Sequence, residues 1–237
     1  LDAQQRLGFK TIELWAAEPH VTLDHTGYFE ADELRRKIES RGLSVSSLCP
    51  ENVAYPWQYA ARKPLHAQRS LAYFKHGIEL AEVLGAPYMS INSGWGDWDE
   101  DREEAWKRSA EHLAILADYA GEHGVTLCME SLRPEESNLV VTLAGARRML
   151  DQVASPHLTP MVDTTAMGVA GESLEEWFAE FGDGAIRNMR FIDGDPYGHL
   201  VWGDGNHSMD DFVRVLNAHG FEGYLGQEIT DGRYFDD

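Results

Sequence analysis

Four times along this chain a helical pattern runs into a glycine that is followed at once by an apolar run: Arg41-Gly42-Leu43, Leu84-Gly85-Ala86, His123-Gly124-Val125 and His219-Gly220-Phe221. Glycine is the residue that takes the left-handed conformation at the end of a helix, because it has no Cβ to clash there. An apolar run that starts on the next residue leaves no space for a long loop and reads as a buried strand. Four copies of one helix–turn–strand junction call for a repeated β–α architecture around a parallel sheet.

The strand-like runs fall at residues 11–14, 43–48, 87–91, 126–129, 159–162, 186–192 and 224–227. Helical patterns lie between them at 30–41, 65–84, 99–123, 142–153, 173–181 and 208–219, and residues 1–7 read as the tail of an earlier helix closed by Gly8. In the pattern at 65–84, Leu71, Phe74, Ile78 and Ala81 recur on one face. Seven strands, each of the kind that precedes a helix, stand one strand and one helix short of the eight units that close a barrel. The expected fold class is α/β, a TIM (β/α)8 barrel, with a first strand before Leu1 and a last helix after Asp237 absent from the chain. Residues 1–237 are thus expected to form a single TIM-barrel domain trimmed at both ends. An open doubly wound sheet would carry a glycine-rich phosphate loop after its first strand, and neither GxGxxG nor GxxxxGK[ST] occurs.

A hydrophobic fraction of 43% supplies a full core. No apolar stretch approaches the ~20 residues of a membrane span, and no signal peptide is visible. The two cysteines, Cys49 and Cys128, fall in predicted buried strands, which fits reduced thiols and a cytoplasmic location. A net charge of −20, without a run of Lys or Arg, repels nucleic acid. The expected partner is a small molecule, with neither nucleic acid nor membrane involved.

In a β/α barrel the chemistry sits at the C-terminal ends of the strands. Those ends read Glu13, Glu51, Asn92, Glu130, Asp163, Arg190 with Asp193, and Glu228. So many carboxylates in one mouth repel unless a cation, a proton or an arginine offsets them. Mg²⁺ or Mn²⁺ is the usual partner of hard oxygen ligands. The plain alternative is a structural salt-bridge network, with Arg190 paired to Asp193 or Asp163. Trp15, Trp57, Trp95 and Trp202 fall in strand-end loops and suit either sugar-ring walls or packing. The acidic run at 95–100 reads as a lid or, more simply, as a solvated loop with Asp99 near the N-cap of the next helix.

The stretch Cys128-Met-Glu-Ser-Leu-Arg-Pro-Glu-Glu-Ser-Asn138 resembles a strand-five segment of the xylose-isomerase-like sugar isomerases and epimerases. Pro160-Met-Val-Asp163, Gly203-Asp-Gly205 and Gly223-Tyr-Leu-Gly-Gln-Glu228 resemble further segments of that family. Glu18-Pro-His20 and Pro50-Glu-Asn-Val-Ala-Tyr-Pro56 are similar to its fructoselysine 3-epimerase and ketose 3-epimerase branch. The resemblance implies a divalent metal, Mn²⁺ or Mg²⁺, held at Glu130, Asp163 and Glu228, with the fourth family position at Arg190. The family's His-x-His-x-x-Asp reads Asn188-Met-Arg190-Phe-Ile-Asp193 here, and arginine has no lone pair to give a metal. Either another residue supplies the fourth ligand, His199 being the substitute, or Arg190 stands in the cation's place.

The resemblance further implies a carbohydrate substrate, with Glu130 and Glu228 as the proton-transfer pair of a sugar isomerase or epimerase working through an enediolate. It makes His20, Glu51, Glu136, Arg190 and His199 substrate contacts, and it is consistent with a homo-oligomer. Two other functions compete. One is a metal-free relative, a sugar-binding or accessory protein with Arg190 replacing the metal. The other is an apurinic endonuclease-like nuclease, which the charge of −20 disfavours, as does Asp163-Thr-Thr-Ala166 where that branch carries Asp-x-x-His.

Overall fold

All four junction glycines adopt a left-handed φ in the computed structural model of the chain: 68° at Gly42, 69° at Gly85, 68° at Gly124 and 57° at Gly220. At each junction the next N–H donates five residues back. Leu43 reaches Ile38 O at 3.3 Å, Ala86 reaches Ala81 O at 2.9 Å, Val125 reaches Ala120 O at 2.9 Å and Phe221 reaches Leu216 O at 3.0 Å. These bonds satisfy helix-end carbonyls that have no partner inside the helix. The structure describes residues 1–53 and 56–234; Ala54 and Tyr55 of the stretch at 50–56 lie outside them.

Seven strands follow in chain order: β1 Thr11–Ala16, β2 Ser44–Pro50, β3 Tyr88–Ile91, β4 Thr126–Glu130, β5 Leu158–Asp163, β6 Asn188–Arg190 and β7 Tyr224–Gly226. They form one sheet in the order β1 to β7, and every neighbouring pair is parallel. The helices are α1 Asp2–Arg6, α2 Ala31–Glu39, α3 Pro64–Leu84, α4 Arg102–Glu122, α5 Leu143–Val153, α6 Thr164–Val169, α7 Leu174–Phe181 and α8 Met209–Ala218. Sequential parallel strands joined by helical crossovers curl into a nearly closed TIM barrel. Among the described residues no ladder joins β7 to β1. A cavity of about 350 Å³ lies there, lined by Leu7, Phe9, Glu13, Asn188, Tyr224 and Leu225 among others.

Register brings the charged strand ends to one level. Asp163 pairs with Arg190, and Arg190 with Gly226, so Glu228 follows two residues beyond that level. Outside the sheet, Phe74, Ile78, Leu80 and Ala81 of α3 are fully buried, as are Leu113, Leu116, Ala117 and Ala120 of α4. Each large side chain of this set contributes ~1.5–3 kcal/mol on burial. The buried Trp106 and Trp177 keep their indole N–H groups satisfied, on Gln152 Oε1 at 2.9 Å and Glu172 Oε2 at 3.1 Å. Among the described residues no helix is long and apolar enough to cross a membrane.

Several features depart from the sequence reading, the unexpected short helix α6 and the extension of β1 to Ala16 among them. The run at 186–192 forms a strand of only three residues, because Thr164 pulls the chain aside: its Oγ1 donates to Ile192 O at 2.6 Å and accepts from Ile192 N at 3.0 Å. Two antiparallel hairpins, Leu23–Asp24 with Gly27–Tyr28 and Asp193–Asp195 with Tyr197–Leu200, escape a periodicity argument because they are too short to show a period. The N-cap of α4 is Asp101, which accepts from Glu103 N at 2.9 Å, while Asp99 pairs with Arg62.

Cys49 and Cys128 are buried, and burial pushes both thiols up to about 12. Neither is expected to react with a thiol reagent such as DTNB at pH 8 in the folded protein, whereas both react in guanidinium chloride. A stoichiometric native reaction would contradict the burial of these two strands.

Candidate active site

Arg190 is the centre of the barrel mouth. It is 7% exposed, at the end of β6, and its guanidinium is surrounded by acceptors. Nη1 donates to both oxygens of Glu130, at 2.7 and 2.8 Å. Nη2 donates to Glu13 Oε1 at 3.2 Å and to Cys49 Sγ at 2.9 Å. Nε lies 3.2 Å from Glu228 Oε2 without a well-formed hydrogen bond. The pairing with Asp193 or Asp163 expected as the structural alternative does not form. Asp193 instead accepts backbone N–H groups from Gly194, Gly203, Gly205 and His207 at 2.8 to 3.0 Å. That explains the Gly203-Asp-Gly205 phrase: a Cβ on Gly205 would lie 2.4 Å from Asp193 Oδ1.

A second half of the cluster adjoins the first. Asp163, 3% exposed, caps α6 by accepting from Ala166 N through Oδ1 at 2.8 Å. Its Oδ2 lies 3.8 Å from His199 Nε2. His199 Nδ1 lies 3.1 Å from Glu228 Oε2, in a geometry that leaves both atoms without a well-formed hydrogen bond. His199 arrives on the hairpin Asp193–Asp195/Tyr197–Leu200. That hairpin is anchored by Thr165 Oγ1, which donates to Gly198 O at 3.1 Å, and by Thr230 N, which reaches His199 O at 3.3 Å. Glu228 is placed by its neighbour Gln227, whose Nε2 donates to Phe191 O at 2.6 Å.

The electrostatics follow from burial and crowding. Burial pushes Glu130 well above the usual carboxylate range, with Asp163, Glu228 and Glu13 adding to the push and Arg190 opposing it. Burial would also raise Glu228, but Arg190 and His199 outweigh it and hold that carboxyl low. Burial raises Asp163 against the pull of His199. His199 is itself raised, because Glu228 and Asp163 overcome the cost of burying its charge. Arg190 stays protonated because the carboxylates around it, Glu130 first, then Glu228 and Glu13, outweigh the cost of burying its charge.

One ligand atom each from Asp163, His199 and Glu228 can be chosen so that all lie within 4.8 Å of one another. Two carboxylates and an imidazole, with buried atoms of His199 and Glu228 left unpaired, fit a divalent cation. Glu130 is not one of these three, and both of its oxygens accept from Arg190 Nη1. The two alternatives posed by the sequence therefore meet in one site. Arg190 is an internal counter-charge, and His199 brings an imidazole beside Asp163 and Glu228 from a different segment.

The other expected contacts lie apart. His20 is exposed, edge-on to Trp15 at 5.9 Å between ring centroids, and no hydrogen bond or ion pair joins it to the cluster among the described residues. Glu51 accepts from Trp15 Nε1 at 3.3 Å and from Val53 N at 3.0 Å, on the same rim. Glu136 accepts from Arg133 N and Nε, both at 3.0 Å, and from Arg133 Nη2. Arg133 in turn is near enough for its charge to act on Asp163, His199 and Glu228. Trp57 stacks on Tyr73 and Trp202 packs on Phe191, so both are packing residues. Sequence reasoning placed Glu13 at a strand end without committing to it, and the structure puts it inside β1, which runs on to Ala16; nor did it commit to Cys49 and Arg133. Nothing in a linear pattern tells which strand-end group reaches a guanidinium on the far side of a barrel.

Burial would raise Glu136, but the Arg133 bonds outweigh it and hold the carboxyl below its ordinary 4.5. A depressed carboxyl contributes stability that is present above the unfolded value and lost as pH falls through the folded one. Glu136→Gln is thus expected to cost about 1–3 kcal/mol near neutral pH, with the difference in melting free energy shrinking below pH 4.5. A penalty that stays constant down to pH 3 would exclude an ionised Glu136 as its source.

The family described as Xylose isomerase-like TIM barrel matches residues 1–236. The chain is 28% identical over 226 residues to fructoselysine 3-epimerase of Shigella flexneri, covering 94% of this chain and 82% of that protein. Among solved structures, 3-keto-D-glucoside 4-epimerase from E. coli superimposes with a TM-score of 0.80 at 17% identity, over 98% of this chain and 86% of that one. L-ribulose 3-epimerase superimposes with a TM-score of 0.81 at 22% identity, over 97% and 74% of the two chains. At these identities the structures speak for the fold alone.

Proposed function

Because the chain belongs to the xylose isomerase-like TIM-barrel family, we propose that it is a sugar epimerase that inverts a carbon next to the carbonyl of a ketose or a ketose-derived conjugate. The observation that carries this reading is the placement of two glutamates, Glu130 and Glu228, on different nitrogens of one buried guanidinium. Inversion at a carbon acidified by a neighbouring carbonyl needs one group to remove a proton and another to return one from the opposite face. Glu130 and Glu228 are that pair. One carboxylate takes the proton, the C–H electrons move into a carbon–carbon double bond, and the carbonyl oxygen becomes the oxyanion of an enediolate. The other carboxyl then delivers a proton to the opposite face, and the carbonyl re-forms.

A divalent cation held by Asp163, His199 and Glu228 would polarise the carbonyl and stabilise that oxyanion. Arg190 keeps the remaining negative charge of the mouth in balance while the proton moves. Trp15, Glu51 and His20 stand on the rim, where a substrate's distal end can rest. The names of similar proteins support the substrate class: fructoselysine 3-epimerase at 28% identity and D-psicose 3-epimerase at 24%.

Fructoselysine, D-psicose and L-ribulose in D₂O are the trial substrates. Deuterium is expected at the epimerised carbon by NMR, with exchange lowered by a chelator and restored by Mn²⁺. Glu130→Gln and Glu228→Gln should each reduce exchange by about 10²-fold or more. Undiminished exchange in either variant would remove that glutamate from the proposed pair.

A further inference from the structure

A guanidinium and a divalent cation draw on the same carboxylates, and the geometry divides those carboxylates between them. Arg190 Nη1 engages both oxygens of Glu130 and holds them to the guanidinium, and Glu130 is not among the three groups that converge on the other side. Nη2 is turned the other way, to Glu13 and Cys49. Only Nε faces Glu228, at 3.2 Å and without a well-formed bond, on the side where Asp163 and His199 converge. The mouth thus has an arginine half, Glu13–Glu130–Cys49, and an open half, Asp163–His199–Glu228.

We propose that Arg190 is a positioning residue that withholds Glu130 from the divalent cation, leaving Asp163, His199 and Glu228 as its protein ligands and Glu130 free to move a proton. The last clause rests on the epimerase reading above; the division of ligands does not. Arginine cannot itself ligate, because it has no lone pair to give and does not lose its proton. Its planar fork holds a carboxylate in one orientation, which a hydrated Lys ammonium does less well. A carboxylate committed to a doubly charged ion is also a weaker base than one facing a single charge. Keeping Glu130 on the guanidinium therefore preserves it as a proton carrier.

The test is a Mn²⁺ titration of the chelator-treated full chain, followed by the EPR signal of free Mn²⁺, with no sugar present. The isosteric Glu130→Gln should bind Mn²⁺ within about twofold of the unaltered protein, while Asp163→Asn and His199→Ala should each bind at least roughly tenfold more weakly. Arg190→Met should release Glu130 into the cation's shell and tighten binding by roughly tenfold. Adding Glu130→Gln to Arg190→Met should remove that gain, a coupling between the two positions read directly from the cycle.

Equal weakening by Glu130→Gln and Asp163→Asn would overturn the proposal, because Glu130 would then be a ligand. No measurable Mn²⁺ binding, or Arg190→Met binding no tighter than the unaltered protein, would overturn it as well. If Arg190→Met does not fold, as a thermal melt will report, the three single variants that retain Arg190 still decide. Absence of sugar turnover alongside the expected Mn²⁺ pattern would count against the epimerase reading and leave the division of ligands standing.

Discussion

The buried guanidinium of Arg190 is the interaction on which the barrel mouth depends. Glu13 lies within β1, Glu130 and Asp163 end β4 and β5, and Glu228 follows β7; without a positive centre their mutual repulsion would force these strands apart. Arginine suits the place because its donors radiate in a plane and reach several acceptors at once. Leaving such carboxylates buried without a counter-charge typically costs ~3–5 kcal/mol. One residue therefore sets the geometry of three glutamates, and Asp163 and His199 converge with Glu228 on its open side.

Around that centre, uncharged groups do the positioning. Thr164 shortens β6 and turns the chain at Ile192, and Thr165 anchors the hairpin that brings His199 over the mouth. Asp193 organises the loop behind it through four backbone N–H groups, and this explains why a strand-end carboxylate beside Arg190 takes no part in the charge cluster. The short α6 is part of the same device, because Asp163 both caps it and keeps its second oxygen for the site. Fold and chemistry share these residues: the groups that satisfy backbone donors also fix the directions of the functional side chains.

Much of this was legible beforehand. The glycine junctions announced the β–α repeat, and the seven parallel strands lie in the sheet in the order of their runs. Ser173 and Thr142, which open two of the expected helices, are their N-caps. Glu130, Asp163, Arg190, Glu228 and His199 do meet. His20 and Glu51 do not join them: they follow two different strands, β1 and β2, and both meet Trp15, His20 by a ring edge and Glu51 by accepting the indole N–H. The hairpins were silent for the reason that two to four residues cannot display a period, and the acidic run placed Asp99 near the N-cap of α4, which is Asp101.

By itself, the sequence determined the parallel β/α order and the level at which its charges fall. Both are local consequences: a left-handed glycine ends each helix, and a strand of known length ends on a known residue. Only the tertiary structure decided which charge faces which. Whether Arg190 pairs with Asp193 three residues away or with Glu130 sixty residues away depends on sheet curvature and register across non-adjacent strands. It also depends on which backbone donors have already claimed Asp193. A linear pattern carries no information about either, because electrostatic partners are chosen by distance through the barrel interior and not by separation along the chain.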